Sequence, residues 1–289
     1  MNSILINTQD KELIMLRDIS SAFSRSAFTD ILNFNDYSHL EWLTSNYSFH
    51  KITTYNELLK NFYSIISKKY RCEYVYKNEL IKKLLYLYGS NNTIYFNEFK
   101  VGNSIADIAM FNGESKAFEI KTEYDSPRRL NKQMTDYKRL FDKCYIVIPE
   151  RMYEEYNKYT DSTNGIIVLK NYGGHITLQE IRHATQNSRF DTEMLMSCLR
   201  TEEYTNIVKA LGFNTENIPG YDMFKYCHGI LKKIDSQKLK SLFLQEIKKR
   251  KNNTRFLKKY PMPLRQMMLS LNLSEKKANL LLEKLNTNI

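Results

Sequence analysis

Apolar residues recur at helical spacing early in the chain, where Leu13, Ile14, Leu16 and Ile19 form one stripe and Leu58, Leu59, Phe62, Ile65 and Ile66 another. That period predicts helices that bury one face. A further stripe, Leu80, Ile81, Leu84, Leu85 and Tyr88, ends at Gly89, a residue suited to a helix stop, with Glu79 in the first turn. The pattern then changes to short apolar runs set off by Asn91-Asn92 and Gly102-Asn103, which predict strands near 93–99, 104–111 and 115–121. Ser126-Pro127 opens a helix reaching Phe141, carried by Leu130, Met134 and Tyr137. Cys144-Tyr145-Ile146-Val147-Ile148 reads as a buried strand closed by Pro149; a polar helix follows, then a strand from Gly165 to Leu169, the Gly173-Gly174 turn and a strand from His175 to Ile181. The remainder reads as helical. The order αβββαβ, with a further αβ, predicts an α/β protein of α+β character whose mixed central sheet is covered by helices. Three regions follow: a helical accessory region at 1–70, a core at 71–182 and a basic, mainly helical region at 183–289.

Composition adds a partner class. The 289 residues hold 43 lysines and arginines against 32 acids, a net charge of +11. Such a balance suits an anionic partner, although a basic protein with a solvated surface also meets it. Residues 231–260 hold eleven basic side chains and only Asp235 and Glu246 as acids. Nucleic acid is therefore the expected partner, DNA ahead of RNA. The first ten residues lack a secretory pattern and no apolar run approaches about 18 residues, so a membrane is not expected and a cytoplasmic location is. Cys72, Cys144, Cys198 and Cys227 lack CxxC spacing, which argues against a zinc ribbon or a disulfide framework. Two helices flanking Leu271-Asn272-Leu273 have the outline of a helix-turn-helix, or of a plain helical hairpin packed on the core.

Candidate chemistry lies in the strands. Asp107 interrupts Ile105-Ala106-Asp107-Ile108-Ala109, and Glu119 and Lys121 flank Ile120 in the strand that follows. Alternation puts Glu119 and Lys121 on one face of their strand, and a tight connection brings Asp107 beside them. Asp107, Glu119 and the Ile120 carbonyl are hard oxygen donors of the type Mg²⁺ or Mn²⁺ takes, with Lys121 placed to orient water or stabilise charge.

These residues resemble the PD-(D/E)XK nuclease superfamily: Ala106-Asp107, an eleven-residue gap and Glu119-Ile120-Lys121, with Ala106 where proline is usual. Gln133 and Tyr137 match the QxxxY feature of its exonuclease-like branch, and residues 74–148 are similar to a small group of bacterial and phage proteins placed there. The resemblance implies a restriction-endonuclease-like core and a Mg²⁺-dependent deoxyribonuclease hydrolysing phosphodiesters, in phage defence, mobile-element biology or repair. It implies catalytic roles for Asp107, Glu119, Lys121, Glu79, Gln133 and Tyr137, and metal ligation by Asp107, Glu119, Ile120 and Glu79. Arg128, Arg129 and Lys132, with Lys248, Lys249, Arg250 and Lys251, are the expected phosphate contacts.

Plainer readings exist for each residue. Glu79 pairs with Lys83 on a helix surface, Gln133 and Tyr137 pack their helix on the sheet, and the cations form solvated faces. The alternative function is a catalytically inactive nucleic-acid-binding or regulatory protein on the same scaffold.

Overall fold

Helix ends follow local capping chemistry. The computed structural model describes residues 8–49, 52–173, 175–187 and 190–289; residues 1–7, on which most of the leader reading rests, and Gly174 of the Gly173-Gly174 turn lie outside the described residues. The chain opens with α1 (Thr8–Ser21), α2 (Arg25–Phe34), α3 (Ser38–Asn46), α4 (Tyr55–Lys69) and α5 (Glu73–Tyr88). Ser24 accepts the Ala27 N–H at the start of α2, and Thr54 accepts the Glu57 N–H at the start of α4. Helix α5 stops at Gly89, whose φ of +68° is costly for a residue with a Cβ.

Strands β1 (Ile94–Val101), β2 (Ser104–Phe111) and β3 (Ser115–Ile120) follow, then α6 (Leu130–Lys138), β4 (Lys143–Pro149), α7 (Tyr153–Tyr159), β5 (Gly165–Tyr172) and β6 (His175–Arg182). They form one sheet in the order β1-β2-β3-β4-β5-β6. The pairs β1–β2 and β2–β3 are antiparallel, whereas β3–β4 is parallel. A parallel pair needs a crossover, and α6 supplies it. After the sheet come α8 (Thr192–Ser197), α9 (Thr201–Ala210), α10 (Gly220–Leu231) and α11 (Ser236–Lys249), and finally α12 (Arg265–Leu271) and α13 (Glu275–Leu285). This is a mixed α/β fold with a central sheet flanked by helices and a helical C-terminal region. Among the described residues no helix is long and apolar enough to cross a membrane.

The chain divides into two compact units, one of residues 1–90, 169–178 and 252–289, the other of 91–168 and 179–251. In the first, the C-terminal segment returns to the N-terminal helices. Tyr74 of α5 donates to the Pro263 carbonyl at 2.6 Å, while Asn78, fully buried, donates to the Met262 carbonyl at 2.9 Å and accepts the Gln266 N–H at 3.0 Å. One amide side chain thus serves two backbone groups of the returning segment, groups costly to bury unpaired. Asn272, in the left-handed region at φ +47°, links α12 to α13, and Ser274 caps α13. Helix α12 packs on α5 and α2, and α13 on α2 and α4, with Ala278, Leu281 and Leu285 buried. The two helices are therefore built into the first unit through their contacts with α2, α4 and α5.

The second unit has its core between sheet and helices. Phe111 of β2 meets Phe141 at 5.6 Å and Phe243 of α11 at 6.0 Å between ring centres, and all three are fully buried. This aromatic burial, with Leu239, Leu244 and Ile247 buried beside Phe243, docks α11.

Candidate functional site

Glu119 lies near the end of β3 with only 3% of its surface exposed. A carboxylate so placed needs partners, and it has three. Its Oε1 accepts from Lys121 Nζ at 2.6 Å and from Gln133 Nε2 at 2.6 Å, and its Oε2 is 2.7 Å from the Tyr137 hydroxyl. Strand alternation brings Lys121 to the Glu119 side, and the i, i+4 spacing of Gln133 and Tyr137 puts both on the inner face of α6. Lys121 also donates to Gln133 Oε1 at 3.2 Å, and its backbone N–H reaches the Val147 carbonyl at 2.9 Å, extending the β3–β4 pairing by one residue. The Tyr137 hydroxyl lies 2.6 Å from the Ile105 carbonyl as well. Burial, then the negative charge of Glu119, push the Tyr137 phenol far above its ordinary range, so it stays a neutral donor.

Asp107 has a different task. Its Oδ2 accepts the Ile120 N–H at 2.7 Å. The β2–β3 pairing ends at Ile108–Phe118, and one step beyond it the Asp107 side chain holds the β3 backbone. On its other side the β1–β2 pairing runs through Asn97–Ile108 and Phe99–Ala106 but passes over Glu98, which has φ +57°. A non-glycine residue in that region marks local strain.

Of the expected site residues, Glu119, Lys121, Gln133 and Tyr137 form one bonded cluster, and Asp107 is tied to Ile120 within it. Glu79 belongs to the first unit, where Tyr63 and Lys82 donate to its carboxylate at 3.0 and 2.8 Å. Its ion pair is with Lys82 and not with Lys83. Arg128, Arg129 and Lys132 are exposed at the start of α6, with no ion-pair partner among the described residues. Lys248 is likewise exposed and unpaired, and Lys251 is exposed. Lys249 is exposed but paired with Glu246. Arg250 is drawn inward, its Nε and Nη2 donating to the two oxygens of Glu203 at 2.7 and 2.6 Å and Nη2 also to the Cys198 carbonyl at 2.7 Å.

One anchor escaped the sequence reading. Asp142 is fully buried and accepts the Ser115 N–H at 2.7 Å, the Ser115 hydroxyl at 2.9 Å and Gln186 Nε2 at 2.7 Å, and it pairs with Lys240. Between Phe141 and Lys143 it reads as an ordinary turn acid.

The class defined so far is a mixed α/β protein with carboxylates neutralised inside it and cations left on its surface. The family description "Bacteriophage P4 protein cII" matches residues 66–273, and the chain belongs to that family. It is 26% identical over 185 residues to "Protein cII" of Enterobacteria phage P4, an overlap of 63% of this chain and 65% of that protein. The matched region thus spans just under two thirds of that relative. A solved structure, the SPO1766 protein of unknown function from Silicibacter pomeroyi, is similar at a TM-score of 0.33 and 11% identity over 49% of this chain and 94% of that one, too distant to carry an argument.

Membership in the cII family corrects the PD-(D/E)XK assignment. Among the described residues no group of three or more His, Cys, Asp or Glu side chains could hold a metal ion. At Glu119 the Lys121 ammonium is the counter-ion, and the Gln133 amide and the Tyr137 phenol supply the other two hydrogen bonds. The expectations of a metal-dependent deoxyribonuclease, of phosphodiester hydrolysis and of a nuclease's place in phage defence or repair are withdrawn with it.

Proposed function

We propose that this protein binds nucleic acid, DNA ahead of RNA, in a regulatory and not a catalytic role. The observation that carries this reading is α6. Its inner face is fixed by the Gln133 and Tyr137 contacts to Glu119, Lys132 lies in its first turn and Arg128 and Arg129 in the short 3-10 turn that leads into it, all three exposed and without an ion-pair partner among the described residues. Cations held on a rigid element suit a regular line of phosphates. Duplex DNA presents one charge about every 1.7 Å of axis, so several phosphates fall within reach of one helix start. The net charge of +11 adds a general attraction, and Lys248 on α11 offers a second contact in the same unit. Arg250 contributes no phosphate contact because Glu203 holds it. A regulatory role needs only occupancy, since a protein seated on DNA changes what else reaches it.

Fluorescence anisotropy with duplex DNA, single-stranded DNA and RNA over a series of salt concentrations tests the proposal. Salt-sensitive binding, strongest for duplex DNA, supports it. Absence of binding to all three at low salt rejects it, and tighter binding to RNA rejects the choice of partner.

A further inference from the structure

Helix α5 lines a second feature, in the other unit. Lys82 and Lys83 lie three and four residues after Glu79, and Tyr86 lies four and three residues after them, so the four share one helical face. With Lys258 and Arg265 they border a cavity of about 590 Å³ whose apolar wall includes Leu85 and Leu178. All of these residues belong to the first unit. The volume falls in the range of small-molecule sites, about 300–1,000 Å³.

The charges around this cavity are unbalanced. Four cations face one carboxylate, Glu79, which Lys82 and Tyr63 already hold. Lys83 and Lys258 have no ion-pair partner among the described residues. Arg265 is half-buried and donates to the Tyr260 and Lys258 carbonyls at 3.3 and 3.4 Å, long contacts to neutral acceptors. Burial pushes its pKa down with no carboxylate to offset the effect. A partly desolvated guanidinium beside free lysines is stabilised by an incoming anion, and its planar fork matches phosphate oxygens. Tyr86, 86% exposed, stands at the rim as a flat surface beside leucine side chains. A lining that combines cations with an aromatic and aliphatic surface offers the two kinds of contact a nucleotide takes, charge for its phosphates and a flat apolar surface for its base.

We infer that the cavity bordered by α5, Lys258 and Arg265 binds a nucleoside phosphate, with Lys83, Lys258 and Arg265 on the phosphate and Tyr86 stacked on the base. The ligand is a free nucleotide or the 5′-phosphorylated end of a strand, since both present the same chemistry. This site is separate from the α6 cations, and either can fail without the other.

Isothermal titration calorimetry of the full chain tests it, using pyrophosphate, a nucleoside triphosphate, and short single strands with a 5′-phosphate or a 5′-hydroxyl. The triphosphate should bind, and Lys83→Ala/Lys258→Ala should weaken it at least tenfold. Tyr86→Ala should weaken the triphosphate and leave pyrophosphate unchanged, which separates stacking from charge. Lys83 is half-buried and Lys258 and Tyr86 are exposed, so truncating them removes little packing, and the melting profile of each variant checks that it folds as the wild type does. Preference for the 5′-phosphate strand identifies a strand end, and indifference to the strand's 5′ group identifies the free nucleotide. The variant Arg128→Ala/Arg129→Ala/Lys132→Ala should bind the triphosphate as the wild type does. No binding of the triphosphate at millimolar concentration, or equal binding by the Lys83/Lys258 variant, overturns the inference.

Discussion

The Tyr137 hydroxyl lies 2.7 Å from a carboxylate oxygen of Glu119 and ties α6 to the end of β3. A phenol has one proton, and the Ile105 carbonyl at 2.6 Å competes for it. The two acceptors, one on β2 and one on β3, therefore converge on a single donor of α6 in the second unit. Tyr137→Phe should cost about 1–3 kcal/mol, the penalty for stranding a buried acceptor. The shift of the urea midpoint measures it, and an unchanged midpoint would mean that water replaces the hydroxyl.

Removing the carboxylate is more damaging. Glu119→Ala leaves the Lys121 ammonium, 11% exposed, without its counter-ion. Breaking one side of a buried pair costs about 3–5 kcal/mol. The double change Glu119→Ala/Lys121→Met should recover much of that loss, because both charges of the pair are then removed together. Equal loss in single and double variants would place the cost in packing.

The bidentate pair of Arg250 with Glu203 predicts acid sensitivity. Burial acts to raise the Glu203 carboxyl, but hydrogen bonds from Arg250 and from the Arg200 backbone outweigh it, and its pKa lies below the ordinary glutamate value. The unfolded chain, with glutamate near about 4.3, then binds more protons than the folded one, so this contribution is complete above that pH and is lost as pH falls through the lowered folded value. Arg250→Met should flatten that acid limb in melting temperatures recorded from pH 6 to pH 3. An unaltered limb would remove Glu203 as its source.

Gly165, at the start of β5, has no room for a side chain. An added Cβ would strike the Tyr145 ring and lie 2.9 Å from the Ala184 backbone nitrogen. Gly165→Ala should destabilise by about 1–3 kcal/mol or more, as overpacking does. A wild-type melting temperature would show that the ring moves aside freely.

The six strands and the helices before and between them follow from local periodicity and turn residues, which is why αβββαβ could be read directly. The meeting of Glu119, Lys121, Gln133 and Tyr137 was legible for the same reason, since it needs only strand alternation and one helical turn. Its chemistry was not. A D…ExK spacing on strands fits a metal centre, and it equally fits a carboxylate neutralised by its own lysine, as at Glu119. The Arg250–Glu203 pair was hidden because its partners stand 47 residues apart in sequence. The return of residues 252–289 to α5 through Asn78 was hidden likewise, being a match between a buried amide and distant backbone groups.

The proposed function stands or falls on whether the unpaired cations at the start of α6 hold DNA. Equilibrium binding of duplex DNA over a salt series, for the wild type and for Arg128→Ala/Arg129→Ala/Lys132→Ala, tests this most directly. If they do, the logarithm of affinity falls linearly with the logarithm of salt, and the slope becomes shallower by about 0.9 for each phosphate contact removed, about 2–3 in all. Wild-type affinity and an unchanged slope in the triple variant would contradict it.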